Sequence, residues 1–166
     1  MKRENPAAKL NFQIRKALNP DVKEIQKLIN DFASEGLMLS RSLSELFDTL
    51  RDFHVCRSEE EMIGVSALHI VWEDFAEIKS LAVAPQYQRK GIGKELVRAC
   101  LNEAVSLNIK HVFTLTYKPD FFEKFGFHVV EKEILPHKVW GECIKCVKFP
   151  DCNETALIFD LEAENP

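Results

Sequence analysis

Residues able to do chemistry are concentrated in one short loop of this 166-residue chain, between Gln88 and Lys94. Two glycines and three cations fall within a few positions of one another there, namely Arg89, Lys90, Gly91, Gly93 and Lys94. Glycine lets an anion approach the backbone closely, and a helix start offers unpaired N–H groups with partial positive charge. The loop therefore predicts a binding site for a pyrophosphate group.

The elements on either side of the loop show which type of phosphate-binding loop it can be. A strand-like run, Ala76 to Val83, precedes it, and a helix-like run, Gly91 to Val105, follows it. The loop lacks the Gly-Lys-Ser/Thr of a Walker loop, and Leu96 stands where the dinucleotide fingerprint needs a third glycine. By itself, a Gly-x-Gly at a helix start also fits an ordinary tight turn.

The complete order of features resembles motif A of the GNAT-type, acetyl-CoA-dependent N-acetyltransferases. A strand ends in Val83, Pro85 follows, and Gln88-Arg89-x-Gly91-x-Gly93 opens an amphipathic helix. Further along, residues 121–127 (FFEKFGF) resemble the family's FYEKLGF segment. The resemblance implies that acetyl-CoA binds to Leu81, Ala82, Val83, Gln88, Arg89, Lys90, Gly91, Ile92, Gly93 and Lys94, with its pyrophosphate in the loop.

Composition excludes several other classes of protein. The formal net charge of −4 gives no strong field for nucleic acid or for an acidic membrane surface. No apolar run approaches the roughly 20 residues that a membrane span needs, and the first ten residues are polar. Five cysteines, an odd number, suit reduced thiols in the cytoplasm. We expect a flexible segment 1–10 and one cytoplasmic domain, 11–166.

The hydrophobic patterns predict about seven strands and about four helices, with early strands in hairpins and later ones joined through helices. This order is typical of an α/β (α+β) domain, and the resemblance implies a GNAT-type mixed, mainly antiparallel sheet. Helix starts are predicted with Asn19 as N-cap before Pro20, and with capping boxes at Ser42-x-x-Glu45 and Asp120-x-x-Glu123.

Acetyl transfer to an amine needs a group that takes the amine proton. In strand 76–83, alternation places Glu77, Lys79, Leu81 and Val83 on one face. Glu77 is the candidate base, acting through a water, and His69 in the preceding strand is the alternative. A surface pair between Glu77 and Lys79 is an equally good interpretation.

The thiolate leaving group can be helped by an acid, and here the chain departs from the family pattern. Phe122 occupies the position of the usual tyrosine. Tyr117, at the end of the preceding strand, is the candidate replacement, although it could equally be a packing residue.

The acceptor is predicted to be a small-molecule amine. Segments around residues 37–42, 67–69 and 135–138 resemble short amino-acid N-acetyltransferases related to N-acetylglutamate synthase, which opens arginine biosynthesis. A glutamate substrate needs cations for its carboxylates, and Arg41 is the first candidate, with Lys79 and Lys138 as seconds. Another small amine, a peptide N-terminus, or a non-catalytic acetyl-CoA-binding module remain alternatives. A homodimer is also among the expectations.

A loop that contains three cysteines is a further candidate site. His137, Cys143, Cys146 and Cys152 are residue types that bind zinc tetrahedrally. Only one Cys-x2-Cys pair occurs, however, so we favour free thiols and predict no metal.

Overall fold

The computed structural model describes residues 10–136, 140–143 and 152–164. These residues form one sheet of seven strands, in the order β1-β2-β3-β4-β5-β7-β6. The strands are β1 (Gln13–Lys16), β2 (Phe53–Arg57), β3 (Met62–Ile70), β4 (Phe75–Val83), β5 (His111–Thr116), β6 (His128–Val130) and β7 (Thr155–Asp160). Every neighbouring pair is antiparallel except β4 and β5. The predicted mixed, mainly antiparallel sheet is confirmed.

Helices cover both faces of this sheet. The described residues contain α1 (Val22–Ser34), α2 (Leu43–Asp48), α3 (Ile92–Ser106), α4 (Pro119–Glu123) and a single turn, α5 (Trp140–Cys143). On one face, Ile25 of α1 and Leu46 of α2 share a buried cluster with Ala67 of β3. On the other face, Val97 of α3 is buried with Ile78 of β4. The predicted set of about four flanking helices is confirmed.

The start of α1 differs from the prediction. Asn19 is not the N-cap, because Leu18 takes that position and Asn19 opens a short 3-10 helix ahead of α1. The Asp21 carboxylate instead reaches back and accepts a hydrogen bond of 2.8 Å from the Leu18 N–H. The Arg15 guanidinium, 2.6 Å from the same carboxylate, is the main cause that lowers the pKa of Asp21.

The two predicted capping boxes have opposite outcomes. At α2, the Ser42 side chain accepts from the Glu45 N–H and the Glu45 side chain accepts from the Ser42 N–H, so this box is confirmed. At α4, the box on Asp120 is wrong, because Pro119 is the first helical residue and Lys118 is the N-cap. Proline is favoured in the first helical turn, and here the helix starts two residues earlier than predicted.

The described part of the chain can be searched for membrane spans, but it does not test the predicted domain bounds. Within the described residues, no helix is long and apolar enough to cross a membrane. Residues 1–9 lie outside the described part, so the flexible segment 1–10 and the single domain 11–166 stay predictions.

Candidate active site

A cleft opens between β4 and β5 near the middle of the sheet. The parallel ladder between these strands runs from the pair Phe75–His111 to the pair Glu77–Phe113 and ends there. By contrast, β5 pairs with β7 along its whole length. Beyond Glu77 the two strands diverge, and a cavity of about 410 Å³ lies against both of them.

A bulge interrupts β4 beside this cleft. Between the pairs Ala67–Lys79 and Val65–Ala82, β4 contains one residue more than β3. Ser80 lies at this irregularity with φ of +55°, a left-handed conformation that non-glycine residues seldom adopt. An extra residue in one strand reverses the alternation of the side chains that follow it.

The bulge corrects the predicted faces of β4. Lys79, before the bulge, lines a small cavity on the side of α1 and α2. Leu81, after the bulge, packs into the core on the α3 side, and Val83 does the same. The prediction that Glu77, Lys79, Leu81 and Val83 share one face is therefore wrong.

Three predicted charged residues meet in the cleft. Glu77, Lys79 and Arg41 all line it, and all three are half-buried. Residues of α1 hold the backbone of Arg41: its N–H donates to Asn30 Oδ1 at 3.0 Å, and its carbonyl accepts from Gln26 Nε2 at 3.3 Å. The position of the Arg41 side chain at the cleft therefore depends on the loop that these contacts anchor.

The glycine-rich loop connects the end of β4 to the start of α3. A 3-10 turn at Pro85–Tyr87 follows Val83, and the Gln88 Nε2 donates to the Val83 carbonyl at 3.0 Å. Arg89 and Gly91 both have positive φ, of 62° and 84°. Left-handed residues within such a loop turn successive N–H groups toward one concavity that suits an anion.

The start of α3 adds donors and charge to that concavity. Gly91 is the N-cap of α3, so the N–H groups of the first turn lack partners within the helix. Arg89, Lys90 and Lys94 are exposed around it, whereas the Ile92 side chain is buried and anchors the helix.

Gly93 makes room for an aromatic wall between the loop and the cleft. A Cβ at this position would lie only 3.3 Å from the ring of Phe121. Phe121 also lines the cleft between β4 and β5. The phosphate-type loop and the cleft are therefore adjacent.

Two aromatic residues beyond β5, Tyr117 and Phe122 of α4, have different roles. Phe122 is only 4% exposed and its ring centroid lies 5.3 Å from that of Phe127, so it belongs to the core while forming part of the cleft wall. Tyr117 is half-buried and also lines the cleft, and its hydroxyl can supply a proton that a phenylalanine cannot.

Two thiols line the same cleft. Cys143 in α5 and Cys152 before β7 are both half-buried and free of disulfides. The other predicted zinc ligands, His137 and Cys146, lie outside the described residues, as does Lys138. Among the residues that the structure does describe, no three His, Cys, Asp or Glu side chains are grouped to hold a metal ion.

Several cleft residues are not among the predicted site residues, and they include Leu37, Leu39, Lys118, Lys132, Glu133 and Glu154. Lys132, Glu133 and Glu154 belong to a stretch without hydrophobic periodicity, so the sequence pattern assigns them no position. The exposure of Leu37 and Leu39, at 46% and 39%, is a feature that only the structure reveals.

Comparison with known proteins relates this arrangement to one family. The profile of the acetyltransferase (GNAT) family matches residues 20–127. An uncharacterised N-acetyltransferase of Chlorobaculum tepidum is 34% identical over 148 residues, which cover 89% of this chain and 96% of the relative. An amino-acid acetyltransferase of Mycobacterium tuberculosis is 31% identical over 132 residues, covering 78% of this chain and 75% of the relative.

A solved structure shares the fold. It is N-acetylglutamate synthase from Neisseria gonorrhoeae complexed with coenzyme A and N-acetyl-glutamate, with a TM-score of 0.83 and 27% identity. The match covers 91% of the present chain but 35% of that protein, which is therefore much longer.

Proposed function

Because this chain belongs to the acetyltransferase (GNAT) family, we propose that it transfers the acetyl group of acetyl-CoA to the α-amine of glutamate by direct attack in a ternary complex. Acyltransferase activity follows from the family, whereas the acceptor and the direct attack are proposed. One observation carries the proposal: the loop at the start of α3 adjoins a cleft that holds Glu77, Lys79 and Arg41.

The loop from Gln88 to Lys94 fits the pyrophosphate of acetyl-CoA. Left-handed Arg89 and Gly91, together with the open N-terminus of α3, supply backbone donors. The surrounding cations add long-range attraction for a small polyanion. Gly93 keeps the helix start close to Phe121, and the pantetheine chain can pass along this wall into the cleft.

The edge of β4 that faces the cleft is suited to the pantetheine arm and the thioester. In the described sheet, the β4–β5 ladder stops at Glu77. The Ile78 carbonyl accepts from Thr114 of β5, but the described backbone further along makes no ladder pair with that strand. Groups there can bond the pantetheine amides, and an N–H can stabilise the oxyanion of the tetrahedral intermediate. We assign this role to the backbone of Leu81, Ala82 and Val83.

The charged end of the cleft fits an amino acid. Arg41 can hold a carboxylate through two parallel hydrogen bonds, and Lys79 can hold a second carboxylate as a point charge. Glu77 lies in the same cleft, where its carboxylate can take the amine proton through a water. Tyr117 is then the group that protonates the departing thiolate of coenzyme A.

The similar proteins support glutamate as the acceptor. Amino-acid acetyltransferases and an N-acetylglutamate synthase bound to N-acetyl-glutamate are similar to most of this chain. We also propose that the chain catalyses a step of arginine biosynthesis in the cytoplasm, and that it forms a homodimer. Sedimentation of the purified chain tests the oligomeric state separately from the activity.

A thiol-release assay tests the proposed function. Purified protein is given acetyl-CoA with glutamate, with other amino acids, with a peptide N-terminus or with a polyamine. Turnover that is fastest with glutamate, with N-acetylglutamate as the product by mass spectrometry, is the expected result. Faster turnover with another amine overturns the choice of glutamate, and acetyl-CoA binding without turnover on any amine overturns the catalytic role.

A further inference from the structure

We propose, on the premise that acetyl transfer takes place in this cleft, that His69, oriented by Asp52, carries the released proton of each turnover to solvent. An amine that arrives as an ammonium ion loses two protons when it becomes an amide. One of them leaves on the thiol of coenzyme A, and the other must reach bulk water. The cleft therefore needs an exit for one proton as well as a base.

The contact between His69 and Asp52 sets the protonation pattern of the imidazole. Asp52 is the last residue of the short 3-10 turn (Leu50–Asp52) that precedes β2. Its Oδ2 lies 2.6 Å from the His69 Nδ1. An ionised carboxylate only accepts hydrogen bonds, so Nδ1 carries the hydrogen and donates it. In the neutral ring, Nε2 is then the nitrogen that accepts a proton.

The sheet register places this imidazole beside the candidate base. His69 of β3 is directly opposite Glu77 of β4. Side chains of directly opposed residues lie on the same face of a sheet, with Cβ atoms roughly 5 Å apart. Transfer from Glu77 to His69, directly or through water, returns Glu77 to its carboxylate form for the next cycle.

A second, smaller cavity provides the path to solvent. It has a volume of about 150 Å³ and is lined by His69 and Asp52. Arg41, Lys79 and Ser80 line both this cavity and the main cleft, so the two spaces meet at these residues. The His69 side chain is 38% exposed, which gives its ring access to water.

The charges around His69 favour the departure of a proton in one direction. The cations Arg41 and Lys79 lie where the two cavities meet, whereas the carboxylates of Glu45, Asp48 and Asp52 line the small cavity and not the main cleft. A positive imidazolium is thus repelled from the acceptor end and attracted toward the acidic wall. Glu77 is the remaining ionisable group opposite the ring.

The molecule contains a matched control for this pair. His111 Nδ1 lies 2.7 Å from Asp160 Oδ1, and both side chains are about as exposed as those of His69 and Asp52. His111 is at the start of β5, and among the described residues it lines neither cavity. Loss of a surface His–Asp contact can therefore be compared with loss of the proposed proton path.

The test compares His69→Gln, His69→Ala and Asp52→Asn with His111→Gln in the thiol-release assay. We expect kcat of His69→Gln to fall about tenfold or more, with the KM for acetyl-CoA unchanged. The loss should be largest at low pH and should shrink as rising pH lets hydroxide take the proton. Added imidazole should restore His69→Ala, because it can enter the small cavity, and His111→Gln should resemble the wild type.

Two results would overturn the proposal. One is a His69→Gln variant that keeps wild-type kcat across the pH range. The other is a folded His69→Ala variant, with an unchanged melting temperature, whose lost activity imidazole does not restore, because that assigns His69 a packing role. Absence of turnover in the wild-type protein with every amine is a different failure, since it removes the proposed acetyl transfer itself.

Discussion

Thr114 Oγ1 donates a hydrogen bond of 3.0 Å to the carbonyl of Ile78, directly after the last ladder pair between β4 and β5. Thr114 is 3% exposed, so this bond is shielded from water. A side-chain hydroxyl thus replaces the ladder bond at the point where the strands part. This bond joins β4 and β5 where the cleft begins.

Replacement of Thr114 by valine should destabilise the protein. Valine has nearly the same shape but leaves the buried Ile78 carbonyl without its donor, at a cost of about 1–3 kcal/mol. Urea unfolding measures the change, and Thr114→Ser, which keeps the hydroxyl, is the control. A valine variant as stable as the wild type, with the serine variant weaker, would show that the methyl group matters and the bond does not.

Removal of loop cations should weaken the binding of acetyl-CoA alone. Arg89→Gln and Lys94→Gln should each raise the KM for acetyl-CoA several-fold, on the order of 1 kcal/mol, and added salt should reduce the difference. Arg98→Gln is the control, because Arg98 is exposed one turn further along α3 and bonds Glu95. A raised KM for the amine, with that for acetyl-CoA unchanged, contradicts the assignment.

Replacement of Arg41 by alanine should weaken the binding of the amino-acid acceptor. Loss of a charge-assisted contact with a carboxylate is worth about 1.5–3 kcal/mol, so the KM for the acceptor should rise roughly tenfold to a hundredfold. The KM for acetyl-CoA should not change. Arg51→Ala, at an exposed arginine outside both cavity walls, is the matched control. An unchanged acceptor KM would remove Arg41 from the site.

Stability should fall as the medium becomes acidic, because of His54. This residue is buried beneath α3, with Nε2 lying 3.5 Å from Glu103 Oε2. Burial, assisted by Lys16, lowers the pKa of His54 below its ordinary 6.5, although Glu103 opposes the shift. The unfolded chain therefore binds a proton first, so this contribution is complete above pH 6.5 and is lost as pH falls through the folded pKa.

Urea unfolding of the wild type and His54→Gln at several values between about pH 7.5 and 5.5 checks this expectation. The free energy of unfolding of the wild type should decline more steeply with acid than that of the variant. Parallel declines would show that other groups cause the acid sensitivity.

Periodicity was sufficient to predict the sheet, the main helices and the α3 loop, because each rests on local patterns of apolar residues, glycine and caps. The bulge at Ser80 has no such pattern, since a serine within a strand of alternating residues reads as ordinary strand. Every face assigned beyond it was consequently reversed. Asp52 could not be predicted as a partner of His69, because no local pattern links residues that are this far apart along the chain.

The bulge at the left-handed Ser80 divides β4 into two segments whose side chains can be substituted independently. Substitution of Glu77 or Lys79 alters charge on one face, while the backbone that follows the bulge keeps its register with β3. Selection for a new acceptor amine can therefore act on the segment before the bulge without weakening the binding of acetyl-CoA. A library limited to positions 41 and 79 would explore acceptor preference at constant donor affinity, with Glu77 kept as the base.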